Sequence, residues 1–182
     1  MTNPSATNAD LQRLLDKEAI TDCLHRYCRG IDRMDRALML SAYHADAFDD
    51  HGVSEGDPET FVDWARGFHL GAQRVHQHAI SNIVIELDGD KAHVESYYCF
   101  RGDNKEGPPT LAFGRYVDQF DKRDGVWKIA YRVCINEMSG FFTPNPRSVS
   151  YTAEAPARVR ATRDTADPSY ERPLAARKEA LA

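Results

Sequence analysis

QRVHQHAISNIVIEL, residues 73–87, changes the period of the chain. Ile83, Ile85 and Leu87 alternate with their neighbours, the two-residue repeat of a strand with one apolar face. His76 and His78 stand just before that run and share a face in a regular strand. Such a strand can hold an imidazole rigidly at a cavity wall, and the rest of the chain reads as what builds that cavity.

Upstream the steps are three and four. In DLQRLLDKEAITDCLHRYCRGID, Ile20, Leu24, Tyr27 and Ile31 form a helical stripe, with Asn8 or Asp10 as cap and Gly30 as stop. A short helix is expected in DRMDRALMLSAYH, capped by Asp32 or Asp35, then a short extended piece in ADAFDDHG. A third helix follows in SEGDPETFVDWARGFHLG, with Asp57 as N-cap, Pro58 at the first helical position and an apolar face of Phe61, Trp64, Ala65 and Phe68.

Downstream, turns at DGDK and Asp124-Gly125 separate further strands. KAHVESYYCFRG puts Ala92, Val94, Ser96, Tyr98 and Phe100 on one face. PPTLAFGRYVDQFDKR is the next strand, and VWKIAYRVCINE alternates Trp127, Ile129, Tyr131, Val133 and Ile135. Three helices followed by about four antiparallel strands is an α+β arrangement.

The chain of 182 residues is long enough for one domain with a sizeable core. A net charge of −5 argues against non-specific nucleic-acid binding, which needs a basic footprint. No apolar run approaches a membrane span, and MTNPSATNAD is not a signal peptide, so no membrane contact and a cytoplasmic location are expected. Cys23, Cys28, Cys99 and Cys134 form no C-x-x-C pair and are expected to be free thiols. No G-x-S-x-G, G-x-G-x-x-G or phosphate-binding loop occurs.

Tyr27, Asp32 and His78 stand out as a catalytic set. A neutral histidine is the natural base near neutral pH. An aspartate on one ring nitrogen fixes the tautomer and stabilises the cation. A tyrosine donates to a substrate oxygen or supplies a proton. This is enough for proton abstraction and loss of a leaving group with no cofactor and no metal. Tyr27 and Asp32 lie about 140° apart on a continuous helix. They share a cavity only if the helix ends near Gly30 and the chain bends. The plainer readings are a helix cap for Asp32, a core ring for Tyr27 and a structural imidazole for His78. H-x-H with an aspartate elsewhere also fits a metal site, although no spacing fixes a third ligand. His25, His44, His51, His69 and His93 are read as exposed. Arg132, alternating with Lys128, is placed on the outer sheet face or at a subunit interface. Arg115, on the face of Leu111 and Phe113, is the better pocket cation, with a subunit interface as the equal alternative.

Three segments together, KEAITDCLHRYCRGIDRMD, HQHAISNIVIELDGDKAHVESYY and GRYVDQFDKRDGVWKIAYRV, resemble the SnoaL-like branch of the nuclear transport factor 2 superfamily. The resemblance covers roughly residues 9–145. It implies an α+β cone, in which a strongly bent antiparallel sheet wraps around helices and leaves a deep apolar pocket. It implies a domain over residues 1–145, and residues 146–182 are then an extension, partly ordered or packed on a neighbouring subunit. Several members of the branch are cofactor-free lyases with an Asp after the first helix and a His on the first long strand. Those positions match Asp32 and His78, which selects His78 over His76; Tyr27 matches a tyrosine found in one such lyase. Asp103 is a loose match to a further acid on the next strand. The expected activity is a cofactor-independent lyase acting on an aromatic or alicyclic small molecule. An isomerase or cyclase of steroid- or polyketide-like substrates and a non-catalytic ligand-binding protein are the alternatives. Tyr43, Trp64, Tyr98, Phe113, Arg115 and Asp103 are the expected substrate-binding residues. A homo-dimer or homo-trimer is expected, since one face of a bent sheet must be covered.

Overall fold

The computed structural model describes residues 7–143 and 161–174. Helix α1 spans Asn8–Asp32, α2 Arg36–Leu40 and α3 Pro58–Ala72. The strands are β1 Tyr43–Asp50, β2 Glu55–Gly56, β3 Gln73–Asp88, β4 Lys91–Asn104, β5 Thr110–Arg123 and β6 Val126–Phe141. They form one six-stranded sheet in the order β2-β1-β6-β5-β4-β3. The α+β class is as expected, with one correction to the sheet. The ADAFDDHG piece lies largely in a full strand, β1, which pairs parallel with β6, so the sheet is mixed. Only the meander β3 to β6 is antiparallel.

The start of α1 is set by Thr7, not by Asn8 or Asp10. The Thr7 hydroxyl accepts from the Asp10 N–H, and the Asp10 carboxylate accepts from the Thr7 N–H, a reciprocal cap. The apolar side chains of the early turns, Leu11, Leu14 and Leu15, are exposed; the stripe becomes core from Ile20 onward. Gly30 does not stop the helix. A Cβ there would lie 2.7 Å from the Met39 nitrogen and 2.8 Å from its Cγ. The glycine therefore lets α2 press against α1, and the helix runs on to Asp32. Asp35, not Asp32, caps α2, accepting from the Leu38 N–H at 3.0 Å. Asp57 caps α3 with Pro58 behind it, as the sequence predicts. No loop separates α3 from β3.

The inner sheet face carries Val94, Tyr98 and Phe100 of β4, Ala112, Tyr116 and Phe120 of β5, and Trp127 and Ile129 of β6. Two irregularities in β6 decide what else faces inward. Phe120 pairs with Ile129 but Gln119 pairs with Tyr131, so Ala130 is an extra residue and the alternation flips. Arg132 thereby turns inward and is fully buried, while Tyr131 is 41% exposed. This corrects the outer-face placement of Arg132 and the inward placement of Tyr131, Val133 and Ile135. A second shift, between Phe113 and Gly114, flips the face again near Glu137.

Residues 161–174 return over the end of α1. Arg33 bonds the Thr162 carbonyl and Asp167, Arg29 the Ser169 carbonyl, and the Tyr170 hydroxyl donates to Asp35. Arg163 donates to the His69 and Gln73 carbonyls. The remainder of the expected extension lies outside the described residues.

Candidate active site

The end of α1 presents two groups to β3: the Ile31 carbonyl, which also accepts from the Met34 N–H at 3.2 Å, and the Asp32 carboxylate. The two histidines of β3 divide them. His76 Nε2–H donates to the Ile31 carbonyl at 3.1 Å. The His78 ring Nδ1 lies 2.8 Å from Asp32 Oδ1, and the His78 backbone N–H reaches both carboxylate oxygens at 3.0 Å. Held by the carboxylate, Nδ1 carries the proton and Nε2 keeps its lone pair. A carboxylate on the last residue of a helix opposes the helix dipole, by about 0.3–1 kcal/mol. The N–H groups of His78 offset that.

His78 lines a cavity of about 290 Å³. Tyr27, Trp64 and Tyr98 line it as well, together with Phe61, Phe100 and Tyr116. Tyr98 stacks on Tyr116 at 4.9 Å between centroids, and the His78 ring lies 5.1 Å from Phe100. Asp32 does not line this cavity. It lies behind His78, in a separate groove with Arg29, Arg33 and Ser169. The 140° between Tyr27 and Asp32 thus needs no bend: Tyr27 faces the cavity directly, and Asp32 reaches it through His78. The Tyr27 hydroxyl is buried without a hydrogen-bond partner. Burial pushes its pKa well above the usual phenol value, so it is a donor rather than an anion.

Four of the expected substrate-binding residues lie elsewhere. Tyr43 stands behind Tyr27, edge-on at 6.0 Å, and its hydroxyl donates to the fully buried Asp49 at 2.6 Å. Phe113 and Arg115 point to the outer face, because Tyr98 pairs with Gly114 and Phe100 with Ala112. Opposed residues share a face, so the small even-numbered residues of β5 look inward. Arg115 bonds Glu95 at 2.8 Å and Glu137 at 2.6 Å. Asp103 is half exposed and faces Arg74 at 3.3 Å. The buried cation is Arg132, bidentate to Asp118 at 2.7 and 2.8 Å, with its guanidinium over the rings of Tyr27 and Tyr116 at 4.4 and 4.1 Å.

Three histidines read as exposed are not. His44 is buried and bonds the Asp121 carbonyl at 2.9 Å. His69 lines the cavity, bonds Gln73 at 2.9 Å and stacks on His76 at 4.3 Å. Desolvation keeps both members of that stack neutral, lowering the pKa to about 4 for His69 and about 2 for His76. At 3.8 Å from Asp32, His76 is therefore a neighbour of the carboxylate rather than its ionic partner. His51 lines the cavity, stacks on Phe61 at 4.3 Å and hydrogen-bonds Asp49 through Nδ1. Both cavity histidines had a legible signal. His69 is eight residues after Phe61 and four after Ala65, on the apolar stripe of α3. His51 is two after Asp49, on one face of an extended piece.

Asp32, His76 and His78 offer ligand atoms within 4.8 Å of one another, a two-histidine, one-carboxylate set. His76 Nε2 is committed to Ile31 and His78 Nδ1 to Asp32, so a cation there would have to displace both hydrogen bonds.

Comparison with known proteins follows the same outline. The chain is 26% identical over 141 residues to the gamma-hexachlorocyclohexane dehydrochlorinase of Sphingobium indicum, covering 75% of this chain and 88% of that protein. Its fold is similar to that of the hexachlorocyclohexane dehydrochlorinase LinA-type3 from Novosphingobium barchaimii, with a TM-score of 0.68 and 23% identity over 75% of this chain and 99% of that one. A candidate scytalone dehydratase from Novosphingobium aromaticivorans superposes with a TM-score of 0.66 and 21% identity, over 73% of this chain and 91% of that one. Residues 12–133 match the model of the SnoaL-like domain, and the chain belongs to that family.

Proposed function

We propose that this protein is a cofactor-independent lyase acting on an aromatic or alicyclic small molecule. The observation that carries the reading is the 2.8 Å contact between Asp32 and His78 Nδ1, which leaves Nε2 as the ring nitrogen for an aromatic-walled cavity. In the reaction His78 Nε2 takes a proton from carbon. The electron pair of that C–H bond becomes the new double bond, and the bond to the leaving group breaks with its pair going to that group. Asp32 stabilises the imidazolium so formed. The Tyr27 hydroxyl donates to the leaving group or to a substrate oxygen, the partner it lacks in the protein. Trp64 and Tyr98 form the ring-binding walls. Where the bond broken is carbon–carbon, His78 takes the proton of a hydroxyl instead; the O–H pair becomes the C=O bond of the departing aldehyde, the C–C pair passes to the remaining fragment, and the imidazolium returns the proton to that carbon. Return of the proton to a different carbon makes the same set an isomerase.

The similarity to a dehydrochlorinase supports an elimination. The test is a screen of purified protein against aromatic and alicyclic alcohols, diols and halides, followed by mass spectrometry. Loss of water, hydrogen halide or formaldehyde by the wild type, with H78A silent, is the expected result. Turnover by H78A at the wild-type rate rejects the mechanism. A dimer or trimer burying the outer sheet face, where Tyr97 and Met138 are exposed, is the expected assembly.

A further inference from the structure

A second histidine–aspartate pair borders the same cavity, contributed from the other end of the sheet order. Asp49, at the inner side of β1, is fully buried. It accepts from the Tyr43 hydroxyl through Oδ2 and faces His51 Nδ1 through Oδ1. The His51 ring lies flat on Phe61 and 6.0 Å from Tyr116, and it lines the cavity.

Charge balance fixes its state. Arg132 and Asp118, both fully buried, neutralise each other through two hydrogen bonds. Asp49 is then a buried carboxylate whose ionic partner is His51. Leaving it uncompensated would cost several kcal/mol, on the order of the penalty for a broken buried ion pair. An imidazolium at position 51 removes that penalty. The groups around it agree: burial works against the charge, yet the hydrogen bonds of the ring to Asp49 on β1 and to the Cys134 side chain on β6 raise its pKa to about 9. The rings of Phe61 and Tyr116 face it from α3 and β5. His69, across the cavity, stays neutral partly because His51 is charged.

We propose that His51, held by Asp49, seats an anionic oxygen of the ligand, a phenolate or an enolate, in the cavity that His78 serves. The ion pair is fixed before the ligand arrives, with its cationic member lining a cavity walled by aromatic rings and its carboxylate set behind, so the ligand oxygen meets the positive end of a preorganised dipole. A ring substrate then lies between two imidazoles in opposite states. One is held for accepting a proton and the other for holding negative charge. The proposal rests on the reading of this cavity as a ligand site, but not on turnover.

The test uses 4-nitrophenol, whose ionised form is recognised by its visible absorption, in a buffer below the probe's own pKa. Wild-type protein is expected to bind it as the phenolate. H51Q leaves Asp49 unpaired and risks misfolding, so the double variant D49N/H51Q, neutral at both positions, is measured beside it. Loss of the phenolate band with at least about tenfold weaker phenolate binding in the double variant supports the proposal. A wild type that binds no phenolate overturns it, as does a double variant that keeps the band. The readout needs no turnover, so a failed lyase screen leaves it standing, and loss of the band leaves the His78 mechanism untouched.

Discussion

Asp32 makes three contacts to one residue, His78, and they fix both where the ring sits and which nitrogen carries its proton. Asn in its place keeps the size but presents an N–H where an acceptor is needed, and the imidazole loses its tautomer. D32N is expected to lower kcat by roughly 10²- to 10⁴-fold while the fold persists, as the loss of an orienting carboxylate does elsewhere. Circular dichroism beside the rate would check it. This pair was readable in the sequence as residue types, but the choice of His78 over His76 came from family resemblance. The geometry behind that choice, one histidine for the helix carbonyl and the other for the carboxylate, depends on where α1 stops. The pocket reading of Arg115 and the outer-face reading of Arg132 fail for a related reason. Both faces of β5 and β6 carry apolar residues, so alternation alone could not name the inner one. A single extra residue, Ala130, then reversed it.

Between elements, the site depends on α1 running uninterrupted to Asp32 with α2 folded hard against it. Alanine for glycine inside a helix normally stabilises by up to about 1 kcal/mol. At Gly30 the added Cβ meets the backbone of Met39 at 2.7 Å, so the sign reverses. G30A is expected to destabilise by about 1–3 kcal/mol, the range for overpacking, seen as a lower midpoint in urea. It should also weaken the Asp32–His78 contact, since α2 can move only by shifting the end of α1. The helices, the strand of residues 73–87 and the hairpin turns were legible because their periods and caps are local. The parallel pairing of β1 with β6 was not, because no local pattern records a partner some eighty residues away.

At the scale of the whole molecule, three histidines set opposite limits on stability. His51 has its pKa raised from 6.5 to about 9, so its contribution is complete below pH 6.5 and is lost as pH climbs to about 9. His69 and His76 have theirs lowered, so their contribution is present above pH 6.5 and fades as pH falls from there to about 4 and below. A thermal midpoint that peaks near pH 6.5 and declines on both sides is expected. Each unit shift of pKa corresponds to about 1.4 kcal/mol. The alkaline decline should flatten in D49N/H51Q while the acid decline stays, as calorimetry across pH would show. The cavity as a whole was anticipated from the family resemblance, but the imidazoles of His51 and His69 in its wall were not, and His51 sits just past a strand whose partner was unknown.

The returning segment at residues 161–174 lies beyond the 12–133 stretch that matches the family, yet it places Ser169 in the groove behind Asp32. The carboxylate therefore has two neighbourhoods, the cavity it reaches through His78 and a groove at its back where the distal chain sets Ser169 beside Arg29 and Arg33. Variation at Ser169 can retune how wet the acid is while every aromatic wall of the cavity stays unchanged.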